Sequence, residues 1–378
     1  MSLTELTTPA LILDRSVLVR NCERMAERMQ AHRVRLRPHL KTAKSARIAS
    51  IATHGQFGGI TVSTLAEARY FAERGYRDLL YAVGIAPNKL DEVAALQREG
   101  VQVTLVTDNR EAALATAERA AALDSEFTFL IEVDTGGQRG GVGPESEELI
   151  TLGQFITAAP RLHMEGVMTH AGQSYHCRGA VEVAQVAEAE RAGITLAASR
   201  LRWAGLRCPV VSAGSTPTAV HATSLLGITE MRPGVYMFYD LDQLGIGTCE
   251  LEDIAISVLA TVIGHNHRAR RILVDAGALA LSKDVSAGEH LEDVGYGMVC
   301  PGESLRPVSG VCIADVHQEH GVIASTNGAE PPYERFPIGS RVRILPNHAC
   351  ITAAAYNSYQ VTDGANDVVD TWDRVSGW

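Results

Sequence analysis

The chain has 378 residues, 46 % of them hydrophobic, and a formal net charge of −10. That length exceeds one ordinary core of roughly 100 to 150 residues, while a barrel of about 250 residues counts as one domain, so one barrel plus a smaller domain fits. Acids and bases are interspersed without a basic block, which argues against a nucleic-acid partner and leaves a small, soluble molecule as the expected one.

The opening stretch "MSLTELTTPALILD" has no basic leader followed by an apolar core, and no apolar run is long enough to span a bilayer, so neither a secretory signal nor a membrane partner is expected. The seven cysteines, Cys22, Cys177, Cys208, Cys249, Cys300, Cys312 and Cys350, show no C-x-x-C spacing. That pattern argues against a disulfide framework and for a reducing, cytoplasmic setting.

In chain order, a strand "PALILD" (9–14) precedes a helix "SVLVRNCERMAERMQ". Short β-rich runs then alternate with helix-like segments: "VRLRPHL", "GGITVS", "DLLYAV", "VQVTLVTD", "FTFLIEVD", "LHMEGVMTH", "CPVVSAG" and "ITEMRPGVYMF". Between them "TLAEARYFAERG", "KLDEVAALQREG" and "NREAALATAERAAAL" carry apolar positions at helical spacing. The pattern predicts an α/β fold, a (β/α)8 TIM-type barrel over residues 28–255; an early G-x-G-x-x-G, which a doubly wound dinucleotide sheet would need, is missing. Beyond residue 255, "ISVLATVIGH", "ARRILVDAG", "VCIADVH", "HGVIAS", "SRVRILPNHAC" and "YQVTD" read as strands split by turns, a C-terminal β-domain over 256–378. Residues 1–27 are expected to join it.

In such a barrel, chemistry sits at the C-terminal ends of the strands. These ends carry Lys41, Ser63, Asp108, Asp134 with Arg139 beyond, His170, Ser212 to Thr218, then Arg232 and Gly234. "RLRPHLKTAK" ends an apolar strand on Pro38, His39 and Lys41; on this stretch alone, a solvated strand end is commoner than a lysine consumed as an imine by a carbonyl cofactor. The turn "SAGSTPT" enters the helix "PTAVHATSLLG", where backbone N–H groups of Gly214, Ser215 and Thr216 and the helix dipole suit a phosphate. An ordinary N-cap before Pro217 explains the turn equally; its place after the seventh strand, the usual phosphate site of a barrel, favours the first reading. "RPGV" would add backbone donors from Gly234 and Val235. A phosphate cup facing a lysine describes pyridoxal 5′-phosphate, with a Schiff-base sugar aldolase as the alternative.

In the second domain "RVRILPNHACITAAAY" ends a strand on His348 and Cys350. In an extended segment residues i and i+2 share a face, so imidazole and thiolate would point together, and such a pair suits Zn²⁺ with open positions. Two ligands alone are also compatible with a buried cysteine beside a surface histidine.

"RPHLKTAK", "THAGQSY", "SAGSTPT", "EMRPGVYMFYD", "QEHG" and "LPNHAC", in this order over nearly the whole chain, resemble the fold-type III pyridoxal-phosphate enzymes of the D-serine dehydratase and D-threonine aldolase group. The resemblance implies an alanine-racemase-like barrel followed by a β-domain, a homodimer, Lys41 as the imine lysine and base, and a divalent ion, zinc or manganese, on His348 and Cys350. It also implies that His170 packs on the cofactor ring, that Arg139 lies near its phenolic oxygen, and that Arg232 stands where related racemases place an arginine at the pyridine nitrogen. Group dehydratases usually read His-x-Cys where aldolases read His-x-Asp, so Cys350 points to dehydration of D-serine or D-threo-3-hydroxyaspartate. Retro-aldol cleavage of D-threonine-like substrates is the alternative, and a non-catalytic pyridoxal-phosphate carrier a third reading, which has no use for the β-domain or its H-x-C pair. Tyr175 is placed facing the cofactor or at a half-buried strand end alike. Glu319 and His320 read as a solvated turn, Tyr236 and Phe238 as barrel packing by their alternation, and "VEVAQVAEAERAG" as plain surface.

Overall fold

A computed structural model describes residues 1–53 and 59–378; Gly58, the first residue of the predicted strand "GGITVS", lies outside the described residues. Two compact units are present, one of Met1–Glu23 with Val235–Arg374, the other of Arg24–Gly234 with Val375–Trp378. The chain opens with β1 (Ala10–Asp14) and α1 (Arg15–Ala31).

In the second of these units lie β2 (Arg35–Leu36), β3 (Ile60–Val62), β4 (Asp78–Gly84), β5 (Gln102–Thr107), β6 (Phe127–Glu132), β7 (Leu162–Met168), β8 (Val210–Ala213) and β9 (Glu230–Met231). They form one parallel sheet in the order β2-β9-β8-β7-β6-β5-β4-β3. The Thr61 N–H donates to Pro38 O at 3.0 Å and the Leu40 N–H to Thr61 O at 2.8 Å, which joins the first strand to the last and closes the predicted barrel. The strands are apolar on both faces, as strands covered by helices must be: β3 is buried throughout and β5 shows water little beyond its first residue.

Between the strands run α2 (Ala46–Thr53), α3 (Leu65–Glu73), α4 (Leu90–Arg98), α5 (Arg110–Leu123), α6 (Glu147–Ala158), α7 (Ala180–Trp203) and α8 (Thr216–His221). Thr64, Asn109 and Ser146 start three of them by accepting the N–H of Glu67, Ala112 and Glu148. The helix expected over "PTAVHATSLLG" is cut to six residues, because Ala222 turns extended and Gly227 sits at φ +90°.

Barrel interiors are ordinarily filled by branched aliphatic side chains; this one also holds charge. Arg37 Nε donates to Glu230 Oε2 at 2.9 Å, and its two terminal nitrogens grip Asp78 at 2.9 and 3.0 Å.

The other unit contains β10 (Ile256–Asn266), β11 (Arg271–Val274), β12 (Met298–Pro301), β13 (Val311–Val316), β14 (Gly321–Ser325), β15 (Arg341–Leu345), β16 (Ser358–Thr362) and β17 (Asp370–Asp373). Order β11-β14-β13-β12-β15-β10, with β11 also paired to β10, rings six strands into an antiparallel barrel. β1 extends this sheet, antiparallel to β10 and parallel to β16. The unpredicted strands β12 and β17 have four residues each, one ending on proline and one flanked by acids. Short helices α9 (Leu241–Ile246), α10 (Ala278–Leu281) and α11 (Ala349–Ala354) complete the unit.

Tyr236 and Phe238 correct an expectation. Val235–Met237 is a 3-10 turn rather than an alternating strand, and it lies in the β unit, where the Phe238 ring meets that of Tyr359 at 5.6 Å.

Removing one partner of a buried pair costs about 3–5 kcal/mol, whereas exposed pairs contribute roughly 0–1 kcal/mol. Glu230 is 2 % exposed and the Asp78 side chain 40 %. Arg37→Met is therefore expected to destabilise the protein several-fold more than Asp78→Asn in urea unfolding. Equal losses would contradict the role given to Glu230.

Candidate active site

A cavity of about 440 Å³ opens at the C-terminal ends of the barrel strands. Its wall carries His39 and Lys41 beyond β2, Ser63 beyond β3, and Asp108 beyond β5. Glu132 ends β6 and Arg139 follows it, while His170, Gly214 and Arg232 follow β7, β8 and β9. Seven separate strand ends thus contribute to the wall.

Backbone bonds fix the "RPHLK" segment. The His39 N–H donates to Pro233 O at 2.9 Å, and the fully buried Leu40 anchors the turn whose Lys44 N–H returns to Leu40 O at 2.7 Å. Lys41, the next residue, exposes its side chain to the cavity. Its own N–H donates to His39 Nδ1 at 3.4 Å. Burial, then the charges of Lys41 and Arg232, push the His39 imidazole well below its ordinary range, so this ring is neutral at physiological pH.

His170 is lowered to about 3 by the same causes, burial first and then Lys41. Its Nδ1 lies 3.3 Å from Gly214 O, which only accepts, so Nδ1 carries the proton. The Tyr175 ring, in a short 3-10 turn, stands 6.2 Å from that of His170 and does not itself line the cavity.

The two arginines differ. Arg232 is 3 % exposed and donates to Ser212 Oγ at 2.6 Å and to Thr169 O at 2.5 Å. Arg139 projects from "VDTGGQRGGV" with 67 % of its side chain exposed and stands 3.8 Å from Glu132. Asp134 holds that loop, its Oδ1 accepting from Gly136 and Gln138 N–H at 2.8 and 3.1 Å.

The turn after β8 is strongly capped from within. Ser215 caps α8 and receives the Thr218 N–H, while the Ser215 N–H goes to Thr218 Oγ1 at 3.0 Å. The Gly214 N–H goes to Glu190 Oε1 at 3.0 Å, so two donors that the sequence offered to a phosphate are engaged inside the fold. Gly214 has φ +109°, and a Cβ there would come within 2.8 Å of Met231 Cε; at Gly234 one would meet His39 O at 2.8 Å. Thr216 is buried, and Val235 belongs to the β unit.

Glu190 overturns the reading of its helix as plain surface. It is 2 % exposed, and Oε1 also accepts the Ala171 N–H at 3.0 Å, tying the ends of β7 and β8 together. The signal was present: Val183, Ala187, Glu190 and Ile194 follow one buried helical stripe.

The H-x-C pair also departs from expectation. β15 ends at Leu345; His348 is the N-cap of α11 and Cys350 lies in its first turn, so the two are not alternate residues of a strand. Their side chains nevertheless hydrogen-bond to one another. Burial opposes a charge on His348, but Cys350 and then Asp284, 3.5 Å from Nδ1, outweigh it and hold the imidazolium up to about 11. His348 in turn lowers Asp284 to about 2. Asp240 accepts the N–H groups of Ala349 and Gln243, fixing the starts of α11 and α9. Among the described residues no group of three His, Cys, Asp or Glu is arranged to close around a metal. A nitrogen and sulfur donor side by side, with the rest of the coordination sphere left to water or substrate, fits a zinc-like ion. A lysine, two neutral imidazoles and an arginine around one cavity likewise fit a pyridoxal-phosphate ring and its carbonyl.

Residues 13–242 match the family profile described as alanine racemase, N-terminal domain, and residues 255–362 that of a serine dehydratase domain. The chain is 44 % identical over 380 residues to D-threo-3-hydroxyaspartate dehydratase of Delftia sp. (strain HT23), covering 100 % of this chain and 99 % of that protein. It is 32 % identical over 396 residues to D-serine dehydratase of Dictyostelium discoideum, covering 100 % and 98 %. The solved structure of the Delftia protein matches with a TM-score of 0.96 over 100 % of both chains, and a cysteine-to-alanine mutant of it has been solved in the metal-free form. D-threonine aldolase of Filomicrobium marinum stands further off, 25 % identical with a TM-score of 0.84 over 99 % and 96 %.

An unfolded imidazole takes its proton near about 6.5, but folded His170 does so only at about 3. The unfolded chain therefore binds the extra proton between these values, and stability falls as pH drops through that window. His170→Gln should flatten the acid limb by up to about 1.4 kcal/mol per pH unit, read from urea midpoints at several pH values. An unchanged limb would mean that His170 is charged in the fold.

Proposed function

Given that the chain belongs to the family that joins an alanine-racemase N-terminal domain to a serine dehydratase domain, we propose that it is a pyridoxal 5′-phosphate- and divalent-metal-dependent dehydratase. It converts a D-3-hydroxyamino acid, D-threo-3-hydroxyaspartate or D-serine, to a 2-oxo acid and ammonia. The observation that carries this reading is the meeting of Lys41, His170, Gly214 and Arg232, from four different strand ends, on one cavity wall. The D-threonine-aldolase reading lacks such support: the matches to dehydratases are higher, and position 350 is cysteine.

Bound in the cavity, the cofactor would supply an electron sink for the pair left at the substrate α-carbon. Lys41 would hold it, with His170 against the ring, Arg139 and Arg232 beside its polar atoms, and the turn of Gly214, Ser215 and Thr216 with Gly234 around its phosphate. The position of that turn after β8, beside the end of β9, supports the last assignment. Lys41 Nζ is the group to take the α-proton, since both neighbouring imidazoles have too little basicity to compete. His348 and Cys350 would hold the divalent ion, zinc or manganese, which supplies Lewis-acid assistance to the departing β-hydroxyl. To bind it His348 must release the proton that Cys350 and Asp284 help to hold, so metal affinity rises with pH. A homodimer in the cytoplasm completes the reading; no disulfide joins the seven cysteines, and no described helix is long and apolar enough to cross a membrane.

Incubated with D-threo-3-hydroxyaspartate or D-serine, the cofactor- and metal-loaded protein is expected to release a 2-oxo acid and ammonia. Glycine with an aldehyde would instead establish the retro-aldol reaction. Lys41→Ala should abolish the long-wavelength absorption of the bound cofactor. Exhaustive chelation should remove activity, leave that band in place, and be reversed by a divalent ion; full activity without metal would refute the role of His348 and Cys350.

A further inference from the structure

From the partly exposed Asp78 a line of polar side chains, buried from Arg37 onward, runs along the barrel interior to the cavity. Asp78 holds Arg37, Arg37 Nε donates to Glu230 Oε2 at 2.9 Å, and Glu230 Oε1 accepts from Ser212 Oγ at 2.6 Å. Ser212 Oγ in turn accepts from Arg232 at 2.6 Å. Glu230, Ser212 and Arg232 are 2 %, 0 % and 3 % exposed. The Ser212 hydroxyl has one proton and gives it to Glu230, so it meets Arg232 as an acceptor, and this polarity is set by the carboxylate behind it. The guanidinium has a second anchor in Thr169 O and faces the cavity between these two.

We infer that Glu230 and Ser212 are positioning residues for Arg232: the carboxylate, relayed through the serine hydroxyl, fixes where the guanidinium stands against the cofactor ring. The inference rests on the proposed placement of the cofactor in this cavity. The arrangement serves orientation more than burial, since a barrel interior can be filled by apolar side chains at lower desolvation cost. Glu230 also supplies the largest favourable charge interaction of Arg232, ahead of Glu190 and Glu132, so one carboxylate both aims the cation and balances it. In an interior of low dielectric, a guanidinium that shifts or turns changes the protonation behaviour of any titrating group it faces.

The test is the pH titration of the absorption band of the holoenzyme, with Arg232→Ala as the reference for complete loss. Ser212→Ala breaks the relay without touching either charge, and Glu230→Gln keeps the serine but removes the carboxylate. A lost hydrogen bond to a charged group is equivalent to roughly tenfold or more in an equilibrium, so Ser212→Ala is expected to displace the titration midpoint by about one pH unit in the same direction as Arg232→Ala. Glu230→Gln should follow it, and if that variant does not fold, Ser212→Ala still decides. A parental midpoint in Ser212→Ala beside a displaced one in Arg232→Ala would overturn the relay and leave the cofactor placement standing. Parental midpoints in both would overturn the relay together with the assignment of Arg232 to the cofactor.

Discussion

The grip of Arg37 on two carboxylates is the constraint on which the barrel mouth depends. β2 and β9 are two residues long and share two register pairs, and single backbone bonds from the Arg35, Arg37 and His39 N–H groups to Thr229, Met231 and Pro233 O continue their ladder on either side. Arg37 supplements it with side-chain bonds to Glu230 on β9 and Asp78 on β4. A buried ion pair adds little stability over apolar packing, but it penalises every register in which its members do not meet. A slip of one residue would turn Arg37 to the other face of the sheet. Pro38, His39 and Lys41 follow directly, so the register that Arg37 selects also decides which side chains reach the cavity.

Charge placed inside the barrel has consequences for the groups at its end. Lys41, Arg139 and Arg232 share the cavity wall with Glu132 and Asp108. Burial raises the Glu132 carboxyl, and the Arg139 and Arg232 charges work against that rise. Burial, with Lys41 and Arg232, suppresses the protonation of both His39 and His170, and Arg139 adds to it at His170. Three cations thus face two carboxylates while the imidazoles are left neutral, and the excess of positive charge suits a ligand with its own negative charge.

What the sequence made legible follows from which forces are local. The barrel strands were visible because a strand covered on both faces must be apolar, and the helices because their caps and stripes are written in a few adjacent residues. β12 and β17 escaped notice because four residues are too few to show a period. The geometry of His348 and Cys350 was misread because the strand stops at Leu345 and Asp240, more than a hundred residues earlier in the chain, caps the helix that follows. Glu190 differs: its burial is written in the apolar stripe of its helix, but its partners, the backbone N–H groups of Ala171 and Gly214, are announced by no side-chain pattern. Lys41 stood out in sequence by its place among strand ends, whereas the engagement of Gly214 and Ser215 N–H within the turn required the fold to be seen.

The two neutral histidines at the mouth are hydrogen-bonded in different ways. The Lys41 N–H donates to His39 Nδ1, and a further hydrogen bond to the Thr61 backbone occupies that ring, so His39 is committed to the scaffold. His170 gives its Nδ1 proton to Gly214 O, which leaves Nε2 as a lone pair. Neither neutral ring serves as an acid at physiological pH without first being charged against the field of Lys41 and Arg232. On the function proposed above, proton traffic at the cavity wall would fall to the amine of Lys41, and the imidazoles, held neutral, would serve the shape of the site.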